Sequence, residues 1–409
     1  MLFDRGRRRG ARARRRGGGA AARPRRVPAP GRRRPARAVV GGKATRTHPG
    51  RDGLTDRDGA DLAADRHRHR RAAENFALNR ALLEARKRKI APSTLRFLQF
   101  GPAALLGYHQ SAEQELDLEY CRANGVEVQR RITGGGAIYM DESVLGWELY
   151  LGKADLGTAD MGEISQRVCQ TAARAVCAFG VRAMYRPRTD IEVDGRKIAG
   201  TGGAFDGDAL LYQGTLLLDF DVERMLRCLR LPAELLSPQA IAGARARVVN
   251  LRELLGAVPP LEKVKQRFAD EFARTLGVSF EPGELSPQEA RLFGEALAEI
   301  DRAEWVDMVR KPRAGLPVLE GVHRPPAALL RAAAAYERAG GRIRQVCFSG
   351  DFLVNPPRTV ADLEAALKDC AVDNPPATIA RFFHGRRVEM PGLAPADFAV
   401  AVTRAVESA

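Results

Sequence analysis

The stretch TDIEVDGRKIAGTGGAFDGDALLYQGTLLLDFD, residues 189–221, decides the fold. It carries three strand signals in succession: TDIEV at 189–193, RKIAG at 196–200 and ALLYQGTLLLDFD at 209–221. Asp194-Gly195, between the first two, is a two-residue hairpin turn of the favoured kind. The three runs therefore form an antiparallel meander. Helical periodicity stands on both sides of it, at 162–179 and from 258 to 310. A meander flanked by helices is an α+β architecture with a mixed sheet, and it argues against a doubly wound parallel sheet.

Towards the N-terminus, VEVQRRIT (126–133) reads as a strand behind a helix ending near Asn124-Gly125, and LRFLQF (95–100) as another. Residues 72–90 place Phe76, Leu78, Leu82 and Leu83 at helical spacing, so the folded body begins there. In the other direction KPRAGLPVLEG (311–321) reads as a linker. Beyond it a smaller α+β unit is expected: a helix near 326–339, a strand IRQVCFSGDFLV after Gly340-Gly341, and a helix from about 359 to 370. The expected divisions are 1–71, 72–313 and 314–409, with no internal repeat.

The 409 residues carry a formal charge of +16, which invites a nucleic-acid reading. All of it lies in residues 1–71, where 22 Arg and one Lys face six Asp; the other 338 residues hold 43 basic and 44 acidic groups. The body is neutral. An Arg-, Gly- and Pro-rich segment with one aromatic cannot bury enough surface to offset its chain entropy, so 1–71 reads as disordered: a solvated extension or translated sequence upstream of the true start, with a salt-sensitive polyanion-binding arm as the alternative. It has neither the apolar run of a secretory signal nor the serines of a transit peptide. Six cysteines, with no C-x-x-C pair, read as reduced thiols in the cytoplasm, Cys177 among them as a buried helix residue. No apolar run is long enough to span a membrane.

Two constellations carry chemistry. On strand 126–133 the period of two puts Arg131 and Thr133 on one side, just before Gly134, Gly135 and Gly136. Three glycines let backbone N–H groups approach an anion, although an arginine beside a glycine turn is also an ordinary surface loop. In DGRKIAGTGG (194–203), Lys197 follows the hairpin turn with Ala199 and Thr201 as small same-face neighbours. A lysine there can be a solvated edge residue. The glycines at 200, 202 and 203 open the backbone around it to a ligand.

Together RRITGGGAIYMD (130–141), TDIEVDGRKIAGTGG (189–203) and YQGTLLLDFD (212–221) resemble the successive signatures of the lipoate-protein ligase A family. The likeness runs from AAENFALNRALLEA at 72 through RVVNLRELLG at 247–256, and GGRIRQVCFSGDFLV (340–354) is similar to the accessory domain of its bipartite members. The resemblance implies the fold of biotin and lipoate ligases and a reaction in two halves. Lipoic acid is activated by ATP, with Mg²⁺, to lipoyl-AMP, and the lipoyl group passes to a lysine of a carrier protein. That carrier would be the E2 lipoyl domain of a 2-oxoacid dehydrogenase, a glycine-cleavage H protein or an H-like lipoate-binding protein.

Carried over by position, Lys197 would contact the acyl carbonyl and the phosphate. Arg131, Thr133 and Gly134 to Gly136 would line the acyl site; Ala137, Ile138, Tyr139, Met140, Asp190, Gly214 and Thr215 would meet the nucleotide; no metal ligand is named. The chain departs from the family where Met140-Asp141 replaces His-Asp, Thr189 replaces Asn, Gln213-Gly214-Thr215 replaces His-Gly-Thr, and the usual Gly-Asn after Asp141 is missing. Two other readings stand beside this one. A lipoyl- or octanoyltransferase of the same superfamily needs a nucleophilic cysteine shortly before the GRKxxG strand, and 178–196 contains none. A carrier-binding scaffold without catalysis would have no reason to keep Lys197 and the three glycines.

Overall fold

The computed structural model describes residues 34–39, 70–187, 190–312 and 315–407, with 34–39 described as backbone only. In chain order the strands are β1 (Arg34–Val39), β2 (Thr94–Leu98), β3 (Ala103–Leu106), β4 (Glu127–Arg130), β5 (Ile138–Met140), β6 (Val144–Gly152), β7 (Ala183–Arg186), β8 (Asp190–Val193), β9 (Arg196–Asp206), β10 (Ala209–Leu217), β11 (Val278–Pro282), β12 (Val318–His323), β13 (Leu329–Glu337), β14 (Arg342–Asp351) and β15 (Cys370–Ala371). The main helices are α1 (Ala72–Lys87), α2 (Met161–Cys177), α3 (Leu261–Leu276), α4 (Pro287–Ile300), α5 (Thr359–Ala366), α6 (Pro375–Phe383) and α7 (Pro395–Glu407).

The expected meander forms the larger sheet, in the order β11-β1-β2-β6-β10-β9-β8-β7. Asp194 and Gly195 turn β8 into β9 with φ of 49° and 77°, the positive pair that a type I′ turn demands. Every residue of β6 is buried. Helices cover both faces: Trp147 packs with Phe268 and Phe272 of α3 on one side, while Tyr150 joins Leu82 of α1 on the other. A second sheet, β4-β3-β5, lies in the α1 and α4 core. This is the α+β arrangement expected. No helix among the described residues is long and apolar enough to cross a membrane.

Glu148 is the one charge inside β6, and a buried carboxylate persists only when paired. Arg96 Nη1 reaches its Oε2 at 2.9 Å, Tyr150 donates to Oε2 at 2.6 Å, and Asn79 Nδ2 and Gln213 Nε2 donate to Oε1 at 2.5 and 2.9 Å. The network ties α1, β2, β6 and β10 into one block beneath the face described below.

Three expectations are corrected. Residues 1–71 were expected to lack structure, yet 34–39 form β1, parallel to both β2 and β11; the rest of 1–69 lies outside the described residues. The expected helix near 326–339 is strand β13. Its alanines favour a helix in isolation, but between β12 and β14 they are buried on both faces, and small side chains let the covering layers approach. The same closeness makes Gly321 necessary, because a Cβ there would lie 2.2 Å from the Ala401 carbonyl oxygen of α7. The stretch 311–321 is not wholly a linker, since β12 begins at Val318. The sheet β12-β13-β14-β15 with α5, α6 and α7 encloses its own core around Phe348, Leu363 and Phe398.

At the edge of that core stands a titrating group, the half-buried Glu364. Burial pushes the Glu364 carboxyl up to about 7, from an ordinary 4.5, and the Phe348 N–H donates to it at 2.6 Å. A raised carboxyl pKa in the folded state means that stability falls as pH rises from about 4.5 through 7, because the unfolded chain releases the proton first. Melting temperature should therefore decline more between pH 5 and 8 for the wild type than for Glu364→Gln. Parallel profiles for the two proteins would show that this carboxyl does not titrate as described.

Candidate active site

The pairing of β8 with β9 slips by one residue: Ile191 faces Ala199 and Glu192 faces Lys197, leaving Ile198 as a bulge. Ile198 and Ala199 both enter the helix-covered core, so the alternation restarts and Lys197 shares a face with Gly200 and Gly202. The expected floor of Ala199 and Thr201 is thus corrected. Thr201 points the other way, with its hydroxyl 3.1 Å from Cys169 Sγ of α2. The ammonium of Lys197 lies over Gly200, where a Cβ would stand 3.0 Å from Nζ. The backbone of Lys197 is held from outside the hairpin: its N–H donates to Arg247 O and its carbonyl accepts from Val249 N, both at 2.9 Å.

Asp190 and Thr215 join Lys197 there. Asp190 Oδ1 is 2.7 Å from Nζ, and each side chain is about one third exposed. The Thr215 hydroxyl sits 3.3 Å from Gly200 N and O. Two positions along β10, Gln213 links the buried Glu148 to Thr133, whose hydroxyl lies 3.5 Å from Gln213 Oε1. The site face thus brings Lys197, Asp190, Thr215 and Thr133 into one neighbourhood.

Arg131 is used differently. Its guanidinium donates to the carbonyl oxygens of Leu105 at 2.8 Å, Gly134 at 3.2 Å and Gly136 at 2.8 Å. Burial lowers its pKa to about 10. Arg131 therefore shapes the glycine loop from within. Its neighbour Arg130 is spent in the same way on Gly107, Tyr108, Gln110, Trp305 and Val306 carbonyls. Gly135 needs its φ of 97°, which side-chain-bearing residues rarely adopt.

Among the residues expected beside the nucleotide, Ala137 and Ile138 are partly exposed, whereas Tyr139 and Met140 are buried in the core. Tyr139 donates to Asp141 at 3.0 Å. Gly214 faces the helix-covered side, where its missing Cβ makes room for Trp147. Gly200 was read as opening the backbone near Lys197 and Gln213 only as a departure from the family pattern, whereas Glu148 also matters to the geometry and was not named from sequence. A single Glu inside the apolar run VLGWELYLG was the available signal for the last, because such a charge must find partners. Among the described residues no three His, Cys, Asp or Glu side chains converge as a metal site. A Mg²⁺ ion carried on phosphates would keep several waters and need only one or two carboxylates; Asp190, paired with Lys197, is the carboxylate named on this face.

A part-exposed lysine over a glycine strand, with a backbone-lined loop beside it, is a place where an anionic group can be held. The profile of the lipoyl protein ligase A/B catalytic domain matches residues 71–273, and the chain belongs to that family. The octanoyltransferase LipM of Symbiobacterium thermophilum is 32% identical over 248 residues, covering 54% of this chain and 89% of that protein. Lipoate-protein ligase A subunit 1 of Thermoplasma acidophilum is 27% identical, covering 53% and 86%. The solved bipartite lipoate protein ligase of T. acidophilum matches with a TM-score of 0.52 at 25% identity, over 59% of this chain and 95% of that one. P. falciparum LipL1 shares the fold over 78% of this chain and 93% of its own, with a TM-score of 0.58 at 17% identity.

The assignment of Gly214 to the core is testable. A Cβ there would stand 2.0 Å from the Trp147 ring, so Gly214→Ala should cost about 1–3 kcal/mol through overpacking. Adding Trp147→Phe should recover part of it, since the indole N–H has no partner among the described residues and little is lost with it. Chemical denaturation reads both. Unchanged stability with weakened nucleotide binding would instead make Gly214 a ligand residue.

Proposed function

We propose that the protein is an ATP-dependent lipoate-protein ligase. The observation that carries this reading is a lysine ammonium held over Gly200 beside Asp190 and Thr215, on a face that no described cysteine shares. Cys169 lies on the opposite face of β9, and burial raises its thiol pKa. Cys121 and Cys228 are buried in the core around α1, and Cys347 and Cys370 belong to the C-terminal unit. Cys177, expected to be buried, is exposed, and its thiol donates to the Ala183 carbonyl at 3.3 Å.

In the first half-reaction a carboxylate oxygen of lipoate forms a bond to the α-phosphorus of ATP, and the bond from that phosphorus to the departing pyrophosphate breaks. In the second, the carrier's amine attacks the carbonyl of the mixed anhydride, AMP leaves with the bridging oxygen, and the amine's proton passes to solvent. Lys197 acts by placing a positive charge between the acyl oxygen and the phosphate as both gain negative charge. Asp190 holds that ammonium in line before substrate arrives. Mg²⁺, when bound, neutralises phosphate charge. The T. acidophilum ligase was solved in a study with its E2 lipoyl domain, which supports a lipoyl domain as the acceptor; an H or H-like protein fits the same chemistry.

The relatives named octanoyltransferases favour a second reading, in which an acyl group passes through a thiol without ATP. The accessible candidate is Cys177. The experiment offers the full chain an apo lipoyl domain with either lipoate and ATP or an octanoyl thioester donor. The ligase reading expects modification in the first mixture alone; modification only in the second, abolished by Cys177→Ser, would establish the transferase.

Lys197→Ala should lower lipoate-dependent pyrophosphate release on the order of 10²- to 10³-fold, as expected for loss of a preorganised charge. Lys197→Arg should recover little, because a planar guanidinium cannot act as a point charge between two oxygens. Melting temperature should hardly move, since the side chain is part-exposed and fills no core. Near wild-type rates for Lys197→Ala would remove Lys197 from the chemistry.

A further inference from the structure

The three glycines read as an anion cradle, yet the chain itself occupies the space that Gly134 and Gly136 leave. A Cβ on Gly134 would stand 2.4 Å from the carbonyl oxygen of Phe352 and 3.0 Å from Leu353 Cα. The Gly135 N–H donates to that same Phe352 carbonyl at 3.1 Å. A Cβ on Gly136 would lie 2.8 Å from Asp351 Oδ2. All three partners sit where β14 ends, in the GDFLV segment (350–354) of the C-terminal unit.

Contacts beside the loop fix this turn in place. The Gly350 N–H donates to His109 O at 3.0 Å, and the Phe352 ring stacks on His109 with centroids 4.7 Å apart and planes 12° from parallel. Ser349 Oγ reaches Gln114 Oε1 at 2.7 Å, and Arg331 pairs with Glu115. Gly107 belongs to the same arrangement, because a Cβ there would strike Gly135 O at 1.8 Å. The loop is therefore gripped from two sides, by the Arg131 guanidinium within the large domain and by the Asp351 carboxylate and the Phe352–Leu353 backbone from the small one. Thr133, at the loop's start, connects to Gln213 on the strand beside Lys197.

We infer that Gly134 and Gly136 leave the room in which the Asp351–Leu353 turn is seated, and that this turn is a positioning element which sets the loop against the Lys197 face. This rests on the acyl-transfer role proposed for that face and adds to it a composite site, completed by the C-terminal unit. Asp351 and Phe352 act through the loop and touch no reacting atom.

A wedge and its relief test the inference in the full chain. Gly136→Ala pushes a methyl group against the Asp351 carboxylate, and Asp351→Ala removes the obstacle. The single variant Gly136→Ala should lose about 10- to 10²-fold in acyl transfer to a lipoyl domain, the scale of a misplaced positioning group. Amide hydrogen exchange in a peptide spanning 131–140 should quicken with it, as the Gly135 bond to Phe352 weakens. The double variant Gly136→Ala/Asp351→Ala should return both readouts to within about threefold of Asp351→Ala alone, a non-additivity expected only of groups in contact. If the double variant stays as impaired as Gly136→Ala while Asp351→Ala remains active, the glycine serves a ligand directly and the inference falls. It falls equally if Gly136→Ala changes neither readout. Hydrogen exchange needs no turnover, and transfer is read with whichever acyl donor the wild type uses, so these outcomes are separable from failure of the ligase reading.

Discussion

A single extra residue in β9 decides where the chemistry can happen. With Ile198 bulged out of the pairing with β8, Lys197 falls on the face of Gly200, Gly202, Gln213 and Thr215. Strict alternation would have sent it into the helix-covered face with Ala199 and Thr201, where Trp147, Tyr212 and α2 leave no room for an ammonium and no water to stabilise it. The bulge is held by a second constraint. Lys197 exchanges backbone hydrogen bonds with the 247–249 segment at the point where its ladder to β8 is disrupted. A strand that changes partners at its functional residue aims the side chain without storing strain in it.

The charged groups around this face divide into two kinds. Arg130 and Arg131 are satisfied by backbone carbonyls, and Arg96 by Glu148 and Asn75, so these cations shape the walls. Lys197 pairs with one part-exposed carboxylate and keeps access to solvent. A buried guanidinium cannot be recruited by substrate without leaving several carbonyls unsatisfied, at a cost of about 1–3 kcal/mol for each. This difference, and not the number of positive charges, separates scaffold from candidate catalyst.

Much of the plan was legible along the chain. Asp194-Gly195 and the runs around it specify the meander, and the position of Lys197 after that turn follows from local chemistry. The bulge was not legible, because it is a property of register against a neighbouring strand and leaves no compositional mark. The alanines of β13 misled for the related reason that propensity is weak beside burial between two strands. Gly134, Gly136 and Gly214 were visible as glycines, but what each accommodates is distant in sequence: a carbonyl at 352, a carboxylate at 351, an indole at 147. Residues 34–39 show the same limit, since their pairing partners lie at 94–96 and 278–282.

Whether the Lys197 face builds an acyl-adenylate is the claim on which the functional account turns, and the fate of one oxygen atom reports it. Lipoate labelled with ¹⁸O in its carboxylate, supplied with ATP and an apo lipoyl domain, should yield AMP carrying one labelled oxygen, because the bond to phosphorus made in the first half-reaction survives the second. Modified lipoyl domain formed without labelled AMP would contradict the account and direct attention to transfer through a thiol.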